Sequence, residues 1–391
     1  MRLQDSKFLQ LVVVIATIAI QVAWGQGAQK GGLSLTTQDR LEDVGWWPTK
    51  GDSARSKFAG AVTCKGCHGD VAAPQETTPM YHAAVRASQS EILEAHQQLN
   101  FQDVLYQYSL THTVQGVTYS VSDSKNSTVG NVEWAFGAGK IGQTYLLENN
   151  GAYTESHLSY YSAISALDIT IGQTVDAPPE REKALGKTLS HATTQHCFSC
   201  HTTVAVTSNT FEPEKAIPGV TCEACHGPGA KHAETMRVRH SERDARNTIM
   251  NPEHLSPSDS VDFCGACHRT WSDVAMQMPG NIGVASVRFQ PYRLQKSRCW
   301  GRSGDARITC IACHDPHRPL VRESRSYDPK CLACHESKGQ SQQKTAAAPA
   351  CKVSVGNCVS CHMPKYEVPQ SHTIFTDHYI RVVRTGAGFP S

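Results

Sequence analysis

The stretch CFSCHTTVAVTSNTFEPEKAIPGVTCEACHGPGAKH, residues 197–232, contains the motif C-x-x-C-H twice, and one more histidine, His232, follows the second copy. Two cysteines three positions apart lie about one helical turn from each other. This spacing allows both thiols to form thioethers to one haem, while the adjoining histidine binds the iron from below. The stretch therefore indicates covalent haem attachment at two neighbouring places.

The same motif occurs seven times along the chain and uses all but two of its 16 cysteines. We number the copies motif 1 to motif 7 in chain order: Cys64/Cys67/His68, Cys197/Cys200/His201, Cys222/Cys225/His226, Cys264/Cys267/His268, Cys310/Cys313/His314, Cys331/Cys334/His335 and Cys358/Cys361/His362. Structural zinc would need two C-x-x-C pairs for each metal and no histidine after each pair. A thioredoxin-like redox pair is usually single and accompanies a βαβ pattern. The sequence thus predicts seven covalently bound c-type haems, with the motif histidines as proximal iron ligands.

The composition is consistent with an interior filled by cofactors. Only 39% of the 391 residues are hydrophobic and 7% are aromatic, and the formal charge of +2 lacks the basic excess typical of nucleic-acid binding. Each haem is a large apolar disc that can replace leucine and valine in a core. We expect a mainly α and irregular, haem-organised fold that depends on its cofactors.

The longest segment without a motif lies between motifs 1 and 2. The sequence THTVQGVTYSV alternates apolar and polar residues, and Asn150-Gly151 is a type I′ hairpin signal between two further strands. These features predict a small antiparallel β unit inserted between the first and second motifs. Gly137, Gly139 and Gly142 match G-x-G-x-x-G, but the helix that a Rossmann site requires does not follow, so we expect no nucleotide partner.

Twelve of the 19 histidines lie outside the motifs and could bind the opposite, distal faces of the haem irons. Four are favoured by their positions beside motifs: His82, His232, His317 and His372. A histidine so close to its own motif is poorly placed to reach the far face of that haem, whereas a neighbouring haem is within reach. The other eight, His378 among them, are interpreted as solvent or core residues, and methionine ligands remain an alternative.

The N-terminus is typical of an export signal. Arg2 and Lys7 come before the apolar run 8–20, and small residues come before a predicted cleavage site at Gln26. An uncleaved membrane anchor is the alternative. We therefore expect a periplasmic or extracellular protein, without membrane association after cleavage. The expected divisions are a signal peptide (1–25), an N-terminal linker (26–60), a first haem segment (61–99), a haem-free β-rich segment (100–185), a six-haem segment (186–384) and a tail (385–391).

Several phrases resemble those of a known family. CEACHGPGAKH, CIACHDPH, CVSCHMPK and HTIFTDH are similar to sequences of exported bacterial multihaem cytochromes c, in particular relatives of the tetrahaem cytochrome c that accepts electrons from hydroxylamine oxidoreductase. In that wider group the histidines after C-H-G-P-G and in C-H-D-P-H are distal ligands, which supports His232 and His317. Seven motifs depart from the tetrahaem pattern, so the order and pairing of the haems do not follow from the resemblance.

Two functions remain open at this stage. One is electron transfer between redox protein donors and acceptors through closely packed, mostly bis-histidine haems. The other is a multihaem oxidoreductase acting on a small nitrogen or sulfur species at one haem with an open iron position. All seven motifs end in histidine, which favours an electron carrier over a catalyst. The two cysteines outside the motifs, Cys299 and Cys351, could pair as a disulfide or stay free.

We predict that the native holoprotein carries seven haems and begins at Gln26. Each intact motif supplies two thioether sulfurs, so each should retain its haem under denaturing conditions. Intact-protein mass spectrometry measures this directly. A mass with six or fewer haems, or with the leader retained, contradicts the prediction.

Overall fold

The computed structural model describes residues 53–176, 178–207, 210–238, 241–277, 283–300, 308–335, 351–354, 356–384 and 386–390. All of them belong to one compact unit, residues 37–391. The expected signal peptide, most of the expected linker, and His240 lie outside the described residues. Within the described part, no helix combines the length and the apolar character needed to cross a membrane.

An antiparallel sheet dominates the N-terminal half. Seven strands pair with their sequence neighbours in the order β2 to β8, while β1 pairs with β5 and β9 pairs with β7. The strands are β1 Ala84–Arg86, β2 Gln98–Gln102, β3 Gln107–Thr113, β4 Gly116–Ser122, β5 Ser127–Phe136, β6 Gly142–Asn149, β7 Ala152–Tyr161, β8 Ala166–Ile169 and β9 Gly186–Thr188. Three two-stranded pairs follow: β10 Thr202–Val204 with β13 Ile217–Pro218, β11 Val206–Thr207 with β12 Thr210–Phe211, and β14 Lys365–Val368 with β15 Thr373–Thr376.

The turns of the large sheet follow from their sequences. Asn150 (φ 51°) and Gly151 (φ 81°) connect β6 to β7 in a register that pairs Asn149 with Ala152, which confirms the predicted type I′ hairpin. Between β4 and β5, Asp123 Oδ1 accepts hydrogen bonds from the backbone N–H groups of Lys125 (2.7 Å) and Asn126 (2.9 Å). The glycines of the G-x-G-x-x-G pattern belong to the β5–β6 connection and the start of β6.

The sheet curves until β2 and β8 contact each other, and its concave face holds the main hydrophobic core. Leu110, Tyr119, Tyr145 and Leu158 are fully buried there. Alternation of apolar and polar residues along the strands points one side chain of every two into this core. The sheet thus has its own conventional interior, which does not require haem.

This sheet is larger than the small unit that the sequence predicted. It has nine strands, and β1 begins at Ala84, within the segment assigned to the first haem. The description of the fold as mainly α is not confirmed, because the sheet is substantial. Short irregular strands such as β1 and β9 have no periodicity of their own, and long-range pairing alone gives them their conformation.

The helices are short, and every motif lies on or beside a helical turn. They are α1 Ala61–Lys65, α2 Gly69–Gln75, α3 Glu91–Ala95, α4 Arg181–Ala184, α5 His191–His201, α6 Cys222–His226, α7 Ala230–Val238, α8 Glu242–Thr248, α9 Pro257–His268, α10 Trp271–Gln277, α11 Gln290–Gln295, α12 Cys310–Cys313, α13 Asp328–His335 and α14 Cys358–His362. Serine caps begin two of the motif helices: Ser190 accepts from Thr193 N on α5, and Ser256 precedes Pro257 on α9 and accepts from Asp259 N.

Conventional hydrophobic core is scarce in the C-terminal half. Among the described residues beyond Phe211, the buried hydrophobic side chains are few and scattered: Ala224, Val261, Phe263, Val274, Val287, Leu294 and Val368. The two clusters of packed apolar residues in the described part belong to the sheet and to the elements packed against it. Short helices with so little apolar contact need another source of stability, which agrees with a cofactor-filled interior.

We predict that Leu158→Ala lowers the free energy of unfolding of the sheet by about 2–5 kcal/mol, because it leaves a cavity in a fully buried site. Denaturant titration followed by far-ultraviolet circular dichroism measures the loss. Val104→Ala is the matched control, since Val104 is 99% exposed. Equal stability of the two variants would show that this core does not hold the sheet.

Candidate haem-binding sites

Motif 2 is positioned by the large sheet. Phe198, inside this motif, is fully buried and packs edge-on against Trp134 of β5 with ring centres 5.1 Å apart. The carbonyl of Ala83, next to β1, accepts a hydrogen bond of 2.9 Å from His201 Nδ1. The sheet therefore fixes both the attachment helix and the orientation of its proximal histidine.

The thiols of different motifs meet in pairs. The helices of motifs 1 and 3, 2 and 4, 4 and 5, and 6 and 7 contact each other, and their thiols lie next to each other in the pairs Cys64–Cys222, Cys200–Cys267, Cys264–Cys310 and Cys331–Cys358. The pKa of Cys264 in motif 4 is raised by contact with Cys310, then by burial, and to a smaller extent by the Cys225 thiol. Cys225 belongs to motif 3, so motif 3 lies near motif 4. The pKa of Cys313 in motif 5 is raised by burial and then by the neighbouring Cys331 thiol. Cys331 belongs to motif 6, so motif 5 lies near motif 6. All seven motifs are thereby connected through neighbours.

Three motif histidines, the predicted proximal ligands, lie beside a second histidine ring from another part of the chain. The ring centres of His68 and His232 are 6.4 Å apart with an interplanar angle of 22°. Those of His226 and His317 are 6.0 Å apart at 9°. Those of His314 and His378 are 6.2 Å apart at 48°.

These separations fit one iron atom between each pair of rings. An imidazole nitrogen binds a metal at ~2 Å and the ring centre lies about 1 Å behind it, so two rings on opposite sides of one iron have centres about 6 Å apart. Face-to-face packing of two flat rings brings their centres closer, as for the His201 imidazole and the Phe136 ring, whose centres are 4.9 Å apart. The paired histidines beside motifs 1, 3 and 5 would therefore be able to hold haem iron between them.

The ring nitrogens are arranged for ligation in these pairs. Nδ1 contacts the protein in His226 (Met250 O, 2.8 Å), His232 (Thr248 Oγ1, 3.1 Å) and His378 (Thr376 O, 3.0 Å). His362, the proximal residue of motif 7, also directs Nδ1 to a carbonyl, that of Arg381, at 2.9 Å. A hydrogen bond at Nδ1 fixes the tautomer and leaves Nε2 for a metal.

Burial keeps several of these imidazoles neutral. It lowers the pKa of His226, His232, His268 and His314, and it lowers the pKa of His378 to about 4. Metal ligation requires the neutral ring, so burial prepares these histidines for iron.

The four distal candidates from the sequence fall into two groups. The structure places His232 opposite His68 and His317 opposite His226, each facing the proximal histidine of another motif. His82 and His372 use Nε2 for other contacts, with Glu76 O (2.8 Å) and Asp168 Oδ2 (2.7 Å) respectively. Ligation through Nε2 of His82 or His372 would require these contacts to break.

His378 was not among the four candidates, although the structure places it opposite His314. The preceding residue, Asp377, is fully buried and binds the Arg293 guanidinium through two contacts of 2.8 Å, while Arg381 joins it at 2.7 Å. Ser297 Oγ also donates to the His378 carbonyl. Arg293 and Ser297 lie 84 and 81 residues away from their partners in the sequence, so the local signal was the pattern D-H at the end of HTIFTDH.

The attachment cysteines are unusually accessible. None of the fourteen motif cysteines is fully buried, and Cys67, Cys334 and Cys361 are exposed. Free cysteine is otherwise among the most buried residue types. Two thiols and an adjoining histidine in each motif are a donor set that suits covalent haem.

Comparisons with known proteins agree with this donor set. The family model "Cytochrome c554 and c-prime" matches residues 169–227, which include motifs 2 and 3. The Multiheme cytochrome MtrA of Shewanella baltica (strain OS185) is 24% identical over 186 residues, 43% of this chain and 52% of the relative. These findings support a multihaem cytochrome c. They do not show a relation to the partner of hydroxylamine oxidoreductase.

The chain spans about half the length of this curated relative. Among solved structures, the Outer Cell Wall Cytochrome OcwA aligns over 84% of this chain and 80% of its own, with 15% identity and a TM-score of 0.40. A similarity at that level carries no argument about the fold or the function.

The two cysteines outside the motifs are both free thiols in the structure. Cys299 is half-buried, and its pKa is raised by burial and, less strongly, by the nearby Cys331 and Cys334 of motif 6. Cys351 is exposed. The structure shows no bond between Cys299 and Cys351, and the disulfide stays a question for thiol titration.

We predict that thiol titration of the denatured, unreduced holoprotein finds two free thiols, because the motif cysteines are consumed as thioethers. A Cys351→Ser variant should then show one. Absence of any reactive thiol in the unaltered protein would establish a Cys299–Cys351 disulfide instead.

Proposed function

We propose that this chain is an exported seven-haem c-type cytochrome that transfers electrons between redox protein partners. The observation that carries the proposal is the set of three imidazole pairs with centres 6.0–6.4 Å apart. An iron held by two histidines has no position left for substrate, so it exchanges electrons without binding a reactant.

In this proposal the motif cysteines hold seven haems and the motif histidines are their proximal ligands. Bound haem supplies one-electron redox chemistry through its iron. We assign distal ligation first to His232, His317 and His378, for the haems of motifs 1, 3 and 5. His82 and His372 remain candidates only if their Nε2 contacts are exchanged for iron. The residues around each site orient the imidazoles and keep them neutral.

The thiol contacts support a continuous route for electrons. Each thiol would carry one edge of a haem, so a contact between thiols of two motifs brings two haem edges together. Contacts join motifs 1 and 3, 2 and 4, 4 and 5, and 6 and 7, and the nearby thiols Cys225–Cys264 and Cys313–Cys331 add the links 3–4 and 5–6. The resulting order is 1–3–4–5–6–7, with motif 2 beside motif 4. The order in space therefore differs from the order in sequence.

Exposed attachment sites mark where partners could exchange electrons. Cys67 of motif 1 lies at one end of the route, and Cys334 and Cys361 of motifs 6 and 7 lie at the other. A partner that docks at either end would approach a motif with a cysteine at the protein surface. We therefore propose redox proteins as donor and acceptor, and export on the strength of the N-terminal sequence and the c-type attachment.

We predict that His232→Ala converts one haem from low-spin to high-spin without loss of covalent haem, because the iron loses one strong ligand. His317→Ala and His378→Ala should each do the same to a different haem. Electron paramagnetic resonance of the oxidised protein counts the two spin states, and the pyridine haemochrome assay counts the haems.

One control accompanies these variants. His254→Ala should leave the spectrum unchanged because His254 is exposed. An unchanged spectrum for all three distal variants would contradict the proposed ligation. A high-spin haem in the unaltered protein that binds nitrite or hydroxylamine would favour the oxidoreductase instead.

A further inference from the structure

One buried carboxylate lies inside motif 3. The side chain of Glu223 is only 1% exposed, and its two oxygens accept three backbone hydrogen bonds: from Ala59 N (2.7 Å), Gly60 N (2.8 Å) and Gly229 N (2.7 Å). A carboxylate without such donors would be costly to bury. Ala59 and Gly60 lie far from Glu223 in the sequence, whereas Gly229 follows it by six residues. The carboxylate therefore joins two segments that are far apart in the chain.

These three contacts tie together the parts that form the first haem site. Gly60 is the N-cap of α1, which carries Cys64. Gly229 immediately precedes α7, which carries His232 opposite His68. Glu223 itself adjoins Cys222, whose thiol contacts that of Cys64. One side chain thus links the attachment helix of motif 1, the attachment helix of motif 3 and the distal histidine.

A second carboxylate makes the corresponding link at the other end of the route. Asp328, the first residue of α13, accepts hydrogen bonds from Asn357 N (2.6 Å) and Cys358 N (2.8 Å), and these contacts lower its pKa. It therefore joins motif 6, on its own helix, to the start of the helix of motif 7. The Cys331 and Cys358 thiols of these two motifs are again in contact.

We propose that Glu223 and Asp328 are positioning residues, each of which holds two neighbouring haems side by side and lowers their reduction potentials. Charge-assisted hydrogen bonds to rigid backbone fix the relative position of the attachment helices. A negative charge close to haem iron in a medium of low dielectric constant favours the ferric state over the ferrous state. This inference rests on the proposed function, and it identifies which pairs of haems the protein tunes together.

The experiment compares Glu223→Gln and Asp328→Asn in the full holoprotein. Each amide keeps the size of the side chain but removes the charge, and one oxygen cannot accept all the original hydrogen bonds. Glu223→Gln should raise the midpoint potentials of two haems and convert one low-spin signal to high-spin as His232 shifts. Asp328→Asn should raise the potentials of two different haems. Glu253→Gln is the control, since Glu253 is exposed, and it should change neither.

Spectropotentiometry and electron paramagnetic resonance of the variants decide the result. Unaltered potentials and spectra in both variants would overturn the inference, as would shifts of the same two haems in both. If Glu223→Gln does not assemble, Glu223→Asp replaces it, because it keeps the charge but shortens the reach. That variant should disturb the spin state of one haem, and a spectrum identical to the unaltered protein would overturn the positioning role.

The proposed function is tested separately by the unaltered protein. Low-spin signals in the unaltered protein together with unchanged Glu223→Gln and Asp328→Asn variants reject only this inference. Absence of low-spin haem in the unaltered protein rejects the proposed function.

Discussion

Opposed imidazole rings are the constraint on which the C-terminal half of the molecule depends. Two rings must face each other across about 6 Å, both neutral and both with Nε2 free, if they are to hold one haem iron. His68 and His232, His226 and His317, and His314 and His378 meet the distance requirement, with ring centres 6.0–6.4 Å apart. The local helices are too short to fix such geometry by themselves, so long-range polar contacts supply it.

Those polar contacts replace much of the usual hydrophobic packing. Glu223 and Asp328 join motifs through backbone N–H groups, and the buried pair Arg293–Asp377 fixes the residue that precedes His378. Removing one partner of a buried ion pair would leave an uncompensated charge in the interior. The C-terminal half is therefore specified by a few costly polar contacts together with the cofactors.

The large sheet has a different physical basis and a direct connection to the haem sites. Its interior is a conventional apolar and aromatic core. A second apolar cluster, which includes Trp134 and Phe198, connects the sheet to motif 2. The carbonyl of Ala83, beside β1, also orients His201 through a hydrogen bond. The haem-free segment is thus part of the support of at least one predicted haem site.

The sequence by itself predicts the chemistry of attachment, because C-x-x-C-H brings two thiols and a histidine together within five residues. It also determined the hairpin at Asn150-Gly151, since two adjacent residues with positive φ dictate that turn. It selected His232 and His317 through their position after a motif. Only the tertiary structure decided that they face His68 and His226, that His378 faces His314, and that motif 1 lies beside motif 3. These relations depend on contacts between residues tens to hundreds of positions apart, such as Glu223 with Gly60, and no local pattern encodes them.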